Sequence, residues 1–233
     1  MRSFLTWALC LLTVGYSASA AAQPGMGPWL DQALPQVEGE PIQSLKACPD
    51  QSLTGGVQLV ERPELFRVMS PDAAWGRPEM IEMLTKAAEE MAWLKPDADP
   101  IVIGDISHRW GGVLSGHKSH RGGIDVDVGL YWGNGEMLKT SFRQGSPSEL
   151  DLEANWLLIR SMLDTGLVER ILLDQSNINA IKAWTIRTGE LSEEEAERIF
   201  PAPSSRRWTM TGIVHHTVNH REHLHVRIFC ASS

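Results

Sequence analysis

The chain has 233 residues, 42% of them apolar and 21% charged, the balance of one folded domain with a sizeable core. Its formal net charge is -8 and no run of basic residues interrupts it. Nucleic acid and anionic membrane surfaces are therefore poor partners, since both demand a positive footprint.

Residues 1–22 have the layout of a cleaved export signal. Met1-Arg-Ser is a short basic start, Phe4 to Val14 is apolar, and Ser17 to Ala22 offers small residues for cleavage after Ala20 or Ala22. The apolar stretch is too short for a transmembrane anchor. Cys10 lies inside it without a lipobox and leaves with the signal. Residues 23–53, rich in Pro, Gly and Gln, are expected to form an extended lead-in, and 54–233 a single domain. Cys48 and Cys230 remain. An even pair in an exported protein reads as a disulfide, the alternative being two separate buried thiols. A bridge closing so long a loop would disfavour the unfolded chain by about 2–5 kcal/mol.

Short strands are expected at Val57 to Val60 and Phe66 to Met69. Pro78 stands at a first helical position, and Met80, Ile81, Leu84, Ala87, Ala88 and Met91 follow at helical spacing, so a helix runs from there to just before Pro96. Ile101-Val-Ile103 reads as a buried strand. The glycine-rich stretch 107–123 reads as a loop, with Asp105 holding it. Ile124-Asp-Val-Asp-Val128 alternates strictly, which places Asp125 and Asp127 on one face of a strand and the aliphatic residues on the core face. A turn and variable loop follow from Trp132 to Ser148. A helix is expected over Leu150 to Leu163, a strand over Glu169 to Asp174, and a helix over Asn177 to Thr188 with Gly189 after its end. Ser192 and Glu195 make a capping box for a short helix reaching Phe200. His223 to Phe229 alternates as a last strand. Together these imply an α+β fold, with a small antiparallel sheet flanked by helices and long loops.

All eight histidines fall into two clusters: His108, His117 and His120, then His215, His216, His220, His223 and His225. The spacings are His-x6-Asp from His120 to Asp127 and His-x-His at His223 and His225. Two imidazoles and a carboxylate from distant parts of the chain form a nitrogen/oxygen ligand set suited to zinc, with one coordination position open. His223 and His225 share a strand face. If that strand lies beside Asp125 and Asp127, four polar side chains meet over one patch of sheet, where a divalent cation would resolve their charge.

Gly116-His-x-x-His-x-x-Gly-x-Asp-Val-Asp127, followed by His220-x-x-His-x-His-Val-Arg227, resembles the penicillin-insensitive murein endopeptidases. These are zinc peptidases related to the lysostaphin-type and D-Ala-D-Ala metallopeptidases. Cys48, the Trp75-Gly-Arg-Pro segment, Gly104-Asp105 and Ile171 to Ile181 extend the likeness over most of residues 45–231. The resemblance implies zinc ligands at His120, Asp127 and His225, catalytic histidines at His223 and His220, and His117 in an accessory metal site or just behind the ligands. Asp125 is placed to orient a ligating imidazole. At one point the chain departs from the family, whose further Asp-x-x-His pair has no match between Leu130 and Leu150. No His-Glu-x-x-His helix is present, so proton transfer falls to the histidines.

The resemblance also implies the substrate, the D-alanyl-meso-diaminopimelyl cross-link of peptidoglycan, cut in the periplasm. A D-Ala-D-Ala carboxypeptidase or an L,D-endopeptidase on the same scaffold is the runner-up, and a non-catalytic peptidoglycan-binding module the remote alternative. Arg109, Arg121 and Trp132 flank the motif and are candidates for contacting substrate, or else form a solvated rim and ordinary packing. Ser115-Gly-His-Lys118 and Lys139-Thr-Ser141 mimic a penicillin-binding serine enzyme. The middle Ser-x-Asn element is missing, and Ser115 sits in a glycine-flanked loop instead of at a helix start.

Overall fold

The computed structural model describes residues 52–133, 141–202 and 212–229. The expected export signal, nearly all of the lead-in, Cys48 and Cys230 lie outside the described residues, as do Lys139 and Thr140. No helix among the described residues is long and apolar enough to cross a membrane.

Among the described residues, eight strands and four α-helices follow one another as β1 (Val57–Gln58), β2 (Phe66–Val68), β3 (Trp75–Gly76), α1 (Pro78–Leu94), β4 (Ile101–Ile103), β5 (Asp125–Gly129), α2 (Leu152–Asp164), β6 (Val168–Leu173), α3 (Gln175–Thr188), α4 (Glu193–Ile199), β7 (Val214–His216) and β8 (His223–Ile228). The α+β class is as expected. β1 and β3 form a small antiparallel ribbon, and the other six strands one sheet in the order β2-β4-β5-β8-β6-β7.

The centre of that sheet, β4-β5-β8-β6, is antiparallel, as foreseen for the part that carries the site. The outer strands β2 and β7 instead run parallel to their neighbours. Each parallel pair spans a helical crossover, α1 for β2 to β4 and α3 with α4 for β6 to β7, because parallel neighbours cannot be joined by a tight hairpin. The sheet is therefore wider and more mixed than alternation alone indicated.

Local chemistry sets the helices. α1 opens with Pro78 at its first position and buries Met80, Met83, Leu84, Ala87, Ala88 and Met91, a stripe at helical spacing. α2 starts two residues later than expected because the Asp151 side chain accepts from Ala154 N at 2.9 Å, while Ser146 and Glu149 cap a separate 3-10 turn at Pro147–Glu149. Asp174 caps α3, which starts two residues earlier than expected, and Gly189 ends it in the left-handed conformation. The Ser192/Glu195 capping box opens α4.

Ile124, Val126 and Val128 pack with Leu224, Val226 and Ile228 and with the inner faces of α1, α2 and α3 in one buried apolar cluster. The opposite face of β5 and β8 is left for polar side chains.

Candidate metal centre

β5 and β8 are adjacent and antiparallel, with Asp125 opposite Arg227, Asp127 opposite His225 and Gly129 opposite His223. Period-two alternation puts all of these on the face away from the apolar cluster. The expected juxtaposition of the two aspartates with the two histidines is what the strand register produces.

His120 reaches the same patch from the end of the glycine-rich loop. Arg77 clamps that loop, its N–H donating to Gly123 O at 2.9 Å and its Nε to Gly122 O at 3.2 Å. Gly123 has φ +69°, and a Cβ there would lie 2.9 Å from Arg77 N, so a side chain would break the clamp. Farther back, Ser107 Oγ donates to Trp75 O at 2.7 Å. The Trp75-Gly-Arg-Pro segment thus positions a histidine that lies more than forty residues downstream in the chain.

Three atoms converge. His120 Nε2 lies 3.1 Å from His225 Nδ1 and 3.2 Å from Asp127 Oδ1, and His225 Nδ1 lies 3.0 Å from Asp127 Oδ1. Tetrahedral zinc bonds of about 2.0–2.1 Å place neighbouring ligand atoms about 3.3 Å apart, close to these three edges. The other ring nitrogens are already committed. His120 Nδ1 donates to Ile106 O at 3.1 Å, and His225 Nε2 donates to Asp125 Oδ1 at 3.0 Å. Each partner accepts, so each ring turns a lone pair towards the common point. His120, Asp125, Asp127 and His225 are all buried. This donor set fits a small divalent cation with nitrogen and oxygen ligands.

The electrostatics agree. Burial alone would lower the His225 pKa, but its bonds to Asp125 and Asp127 win and raise it to about 9. Burial pushes the Asp127 carboxyl up, yet His120 and His225 hold it well below the ordinary carboxylate range. A positive charge is favoured at this point of the fold.

His117 stands beside this triangle. Its Nε2 donates to Asp105 Oδ2 at 3.1 Å, and its Nδ1 faces Asp127 Oδ2 at 3.7 Å. Ligand atoms of His117, His120 and Asp127 lie within 4.8 Å of one another. Asp105 therefore ties down the glycine-rich loop through His117. His223 Nε2 lies 3.6 Å from Asp127 Oδ1, and its buried Nδ1 has no hydrogen-bond partner among the described residues. Burial lowers its pKa to about 4 against the pull of Asp127, which leaves it uncharged at neutral pH. His220 donates from Nδ1 to Val218 O at 2.8 Å, and its ring lies 4.8 Å from that of His223. Burial lowers its pKa as well.

Five of the eight histidines meet here. The other three do not. His108 is exposed, His215 Nε2 donates to Gly212 O at 3.0 Å, and His216 Nδ1 accepts from Gln175 N at the start of α3 at 2.9 Å. Among the candidate substrate contacts, Arg109 is exposed with its guanidinium 5.1 Å from the Trp75 ring and 4.9 Å from the Trp110 ring. Arg121 is half-buried, and its Nε has no hydrogen-bond partner among the described residues. Trp132 is only 4% exposed and packs beneath Gly145 and Arg143, the packing alternative left open for it. Ser115 and Lys118 are exposed loop residues.

Two participants had no sequence signal: the Ile106 carbonyl that orients His120, and Phe142, whose ring stacks on His223. A backbone acceptor carries no side-chain signature, and Phe142 is a single aromatic in an aperiodic loop.

The family model described as penicillin-insensitive murein endopeptidase matches residues 47–233. Proteins named penicillin-insensitive murein endopeptidase are similar along nearly the whole chain. The one from Yersinia enterocolitica is 27% identical over 227 residues, covering 93% of this chain and 76% of its own length. Those from Klebsiella pneumoniae and Escherichia coli are each 26% identical, over 95% and 94% of this chain and 77% and 76% of their own lengths. At such identity the match alone would leave the site to be argued, but it spans β5, β8 and the loop presenting His120, so the chain belongs to the penicillin-insensitive murein endopeptidase family.

Proposed function

We propose that the protein is a periplasmic zinc-dependent D,D-endopeptidase that hydrolyses D-alanyl-meso-diaminopimelyl cross-links in peptidoglycan and is insensitive to penicillin. The observation that carries the reading is the triangle of His120 Nε2, Asp127 Oδ1 and His225 Nδ1, with edges of 3.0–3.2 Å and both imidazoles held in the matching tautomer. Family membership supplies the substrate class, and residues 1–22 the route of export.

Zinc bound there would act as a Lewis acid on the scissile carbonyl and on a water molecule. His120, Asp127 and His225 would hold the ion, Asp125 and Ile106 orient the rings, and His117 would serve as an accessory ligand or as a brace carried by Asp105. His223 presents Nε2 towards the centre as an uncharged imidazole. It takes the proton of the attacking water and passes it to the departing amine nitrogen. His220, with its Nδ1 committed to Val218, keeps Nε2 available to share that transfer or to hydrogen-bond the developing oxyanion. No seryl ester forms, which is why a β-lactam has no nucleophile to trap.

The test is digestion of purified cross-linked muropeptides, with chelator and penicillin as separate inhibitors and zinc added back. Dimers should become monomers without release of D-alanine, stop with chelator, resume with zinc and ignore penicillin. Free D-alanine would instead identify a carboxypeptidase. Hydrolysis that survives chelation but stops with penicillin would overturn the metal mechanism, and zinc binding without any hydrolysis would leave a binding module.

A further inference from the structure

Phe142 lies outside the two histidine motifs, and its ring stacks on the His223 imidazole with centroids 4.9 Å apart and planes 26° from parallel. It reaches that position through a notch in the sheet. Gly129 is the cross-strand partner of His223, and a Cβ there would lie 3.3 Å from Phe142 Cδ1. Gly104, just beyond β4, is tighter still: a Cβ would lie 2.6 Å from Phe142 Cζ and 3.3 Å from Asp127 Cβ. Neither glycine has a positive φ, so backbone conformation does not require them. What requires them is the room taken by the Phe142 ring.

The loop is anchored on its other side. A Cβ on Gly145 would lie 2.4 Å from Trp132 Cζ3, the Arg143 guanidinium sits 5.4 Å from the Trp132 ring, and Arg143 Nη2 bonds Glu149 Oε1 at 3.0 Å. The buried Trp132 is thus the footing of the segment that delivers Phe142.

We propose that Phe142 is a positioning residue for His223. Its ring lies against the imidazole and selects the rotamer that points Nε2 at the metal centre, a task left to stacking because Nδ1 has no hydrogen-bond partner among the described residues. His120 and His225 are aimed by hydrogen bonds through their second nitrogens, and His223 by an aromatic face. The inference rests on His223 as the proton-transfer group, and the experiment separates the two.

The full-length protein is compared with Phe142→Leu, which keeps apolar volume but removes the stack, and Phe142→Tyr, which keeps the ring. His223 ring protons, assigned with a His223→Gln variant, are read by NMR in metal-free and zinc-loaded protein, alongside zinc affinity and steady-state kinetics on muropeptide dimers. In wild type and Phe142→Tyr the ring protons should be shifted upfield by the stacked ring, and in Phe142→Leu they should return towards unstacked positions. Phe142→Leu should lower kcat about 3- to 10-fold, the range expected for losing one aromatic pair, with KM and zinc affinity unchanged. Phe142→Tyr should restore kcat. Unmoved His223 resonances, an undiminished kcat, a rise in KM alone, or loss of zinc affinity would each overturn the positioning role. Full activity in His223→Gln would sink the reading on which it rests, whatever the NMR shows.

Discussion

Asp127 and His225 stand directly opposite each other in neighbouring antiparallel strands, with Asp127 Oδ1 and His225 Nδ1 3.0 Å apart. Two features make this pair a centre and not a simple ion pair. Asp125, two residues back on the same face, takes the other nitrogen of His225, and His120 brings a third donor atom within 3.2 Å of both partners. The sheet supplies rigidity to two of the candidate ligands, and the clamped glycine-rich loop supplies the third.

Asp125→Asn should weaken zinc binding about 10- to 100-fold, the usual cost of removing the carboxylate behind a ligating imidazole. His225 would keep its position but exchange a charged carboxylate acceptor at Nε2 for a weaker neutral amide oxygen, so its Nδ1 becomes a poorer donor to the metal. Chelator competition measures the affinity, and activity should recover at saturating zinc. An unchanged dissociation constant would rule out the orienting role.

His223→Ala and His225→Ala should separate catalysis from metal binding although the residues are two apart on one strand. His223→Ala is expected to lower kcat about 10²–10⁴-fold while zinc stays bound, since it removes general acid–base catalysis and no ligand. His225→Ala should lose the metal itself. Metal content by mass spectrometry beside kinetics decides it, and equal zinc loss in both variants would make His223 a ligand.

Gly123→Ala should act at a distance. The methyl group would meet Arg77 N at 2.9 Å in a backbone conformation that disfavours side chains, so the loop presenting His120 must shift. The expected result is a stability loss of about 1–3 kcal/mol together with reduced zinc affinity. Denaturant unfolding of the metal-free protein, set beside zinc titration, measures the two effects. A variant with wild-type values for both would show the clamp to be dispensable.

A pH-dependent effect is expected far from the site. Burial first, then the neighbouring Glu90, raises the Asp164 pKa to about 6 against the pull of Arg160, and its Oδ1 has no hydrogen-bond partner among the described residues. The folded chain therefore binds this proton more tightly than the unfolded chain does. Its contribution to stability is complete below the unfolded value of 3.8 and is lost as pH rises through about 6. Asp164→Asn should stabilise the protein by about 1–2 kcal/mol at pH 8, with the gain vanishing near pH 4. Urea unfolding at the two pH values tests this, and a gain that does not depend on pH would contradict it.

The strands that carry the centre were legible because period-two alternation is a local property: Ile124 to Val128 and His223 to Phe229 each declare a core face and a polar face. Their boundaries shift by a residue in the structure, to Asp125–Gly129 and His223–Ile228, without changing which side chains share a face. Helix α1 was equally plain from Pro78 and its buried stripe. β3 and β7 were not: Trp75–Gly76 and Val214–His216 carry no apolar run or alternation of their own, and they are strands through their pairing with β1 and β6.

By itself, then, the sequence determined which side chains could bind a metal, because His-x6-Asp and His-x-His are chemistry and spacing along one chain. Only the tertiary structure decided which of the eight histidines would meet. It placed His215 and His216 at an edge strand and a helix start, brought the Ile106 carbonyl and Asp125 behind the His120 and His225 rings, and buried Trp132 as the footing of Phe142. Those outcomes depend on backbone acceptors, on the register of strands about a hundred residues apart and on the space left by glycines, none of which local periodicity encodes.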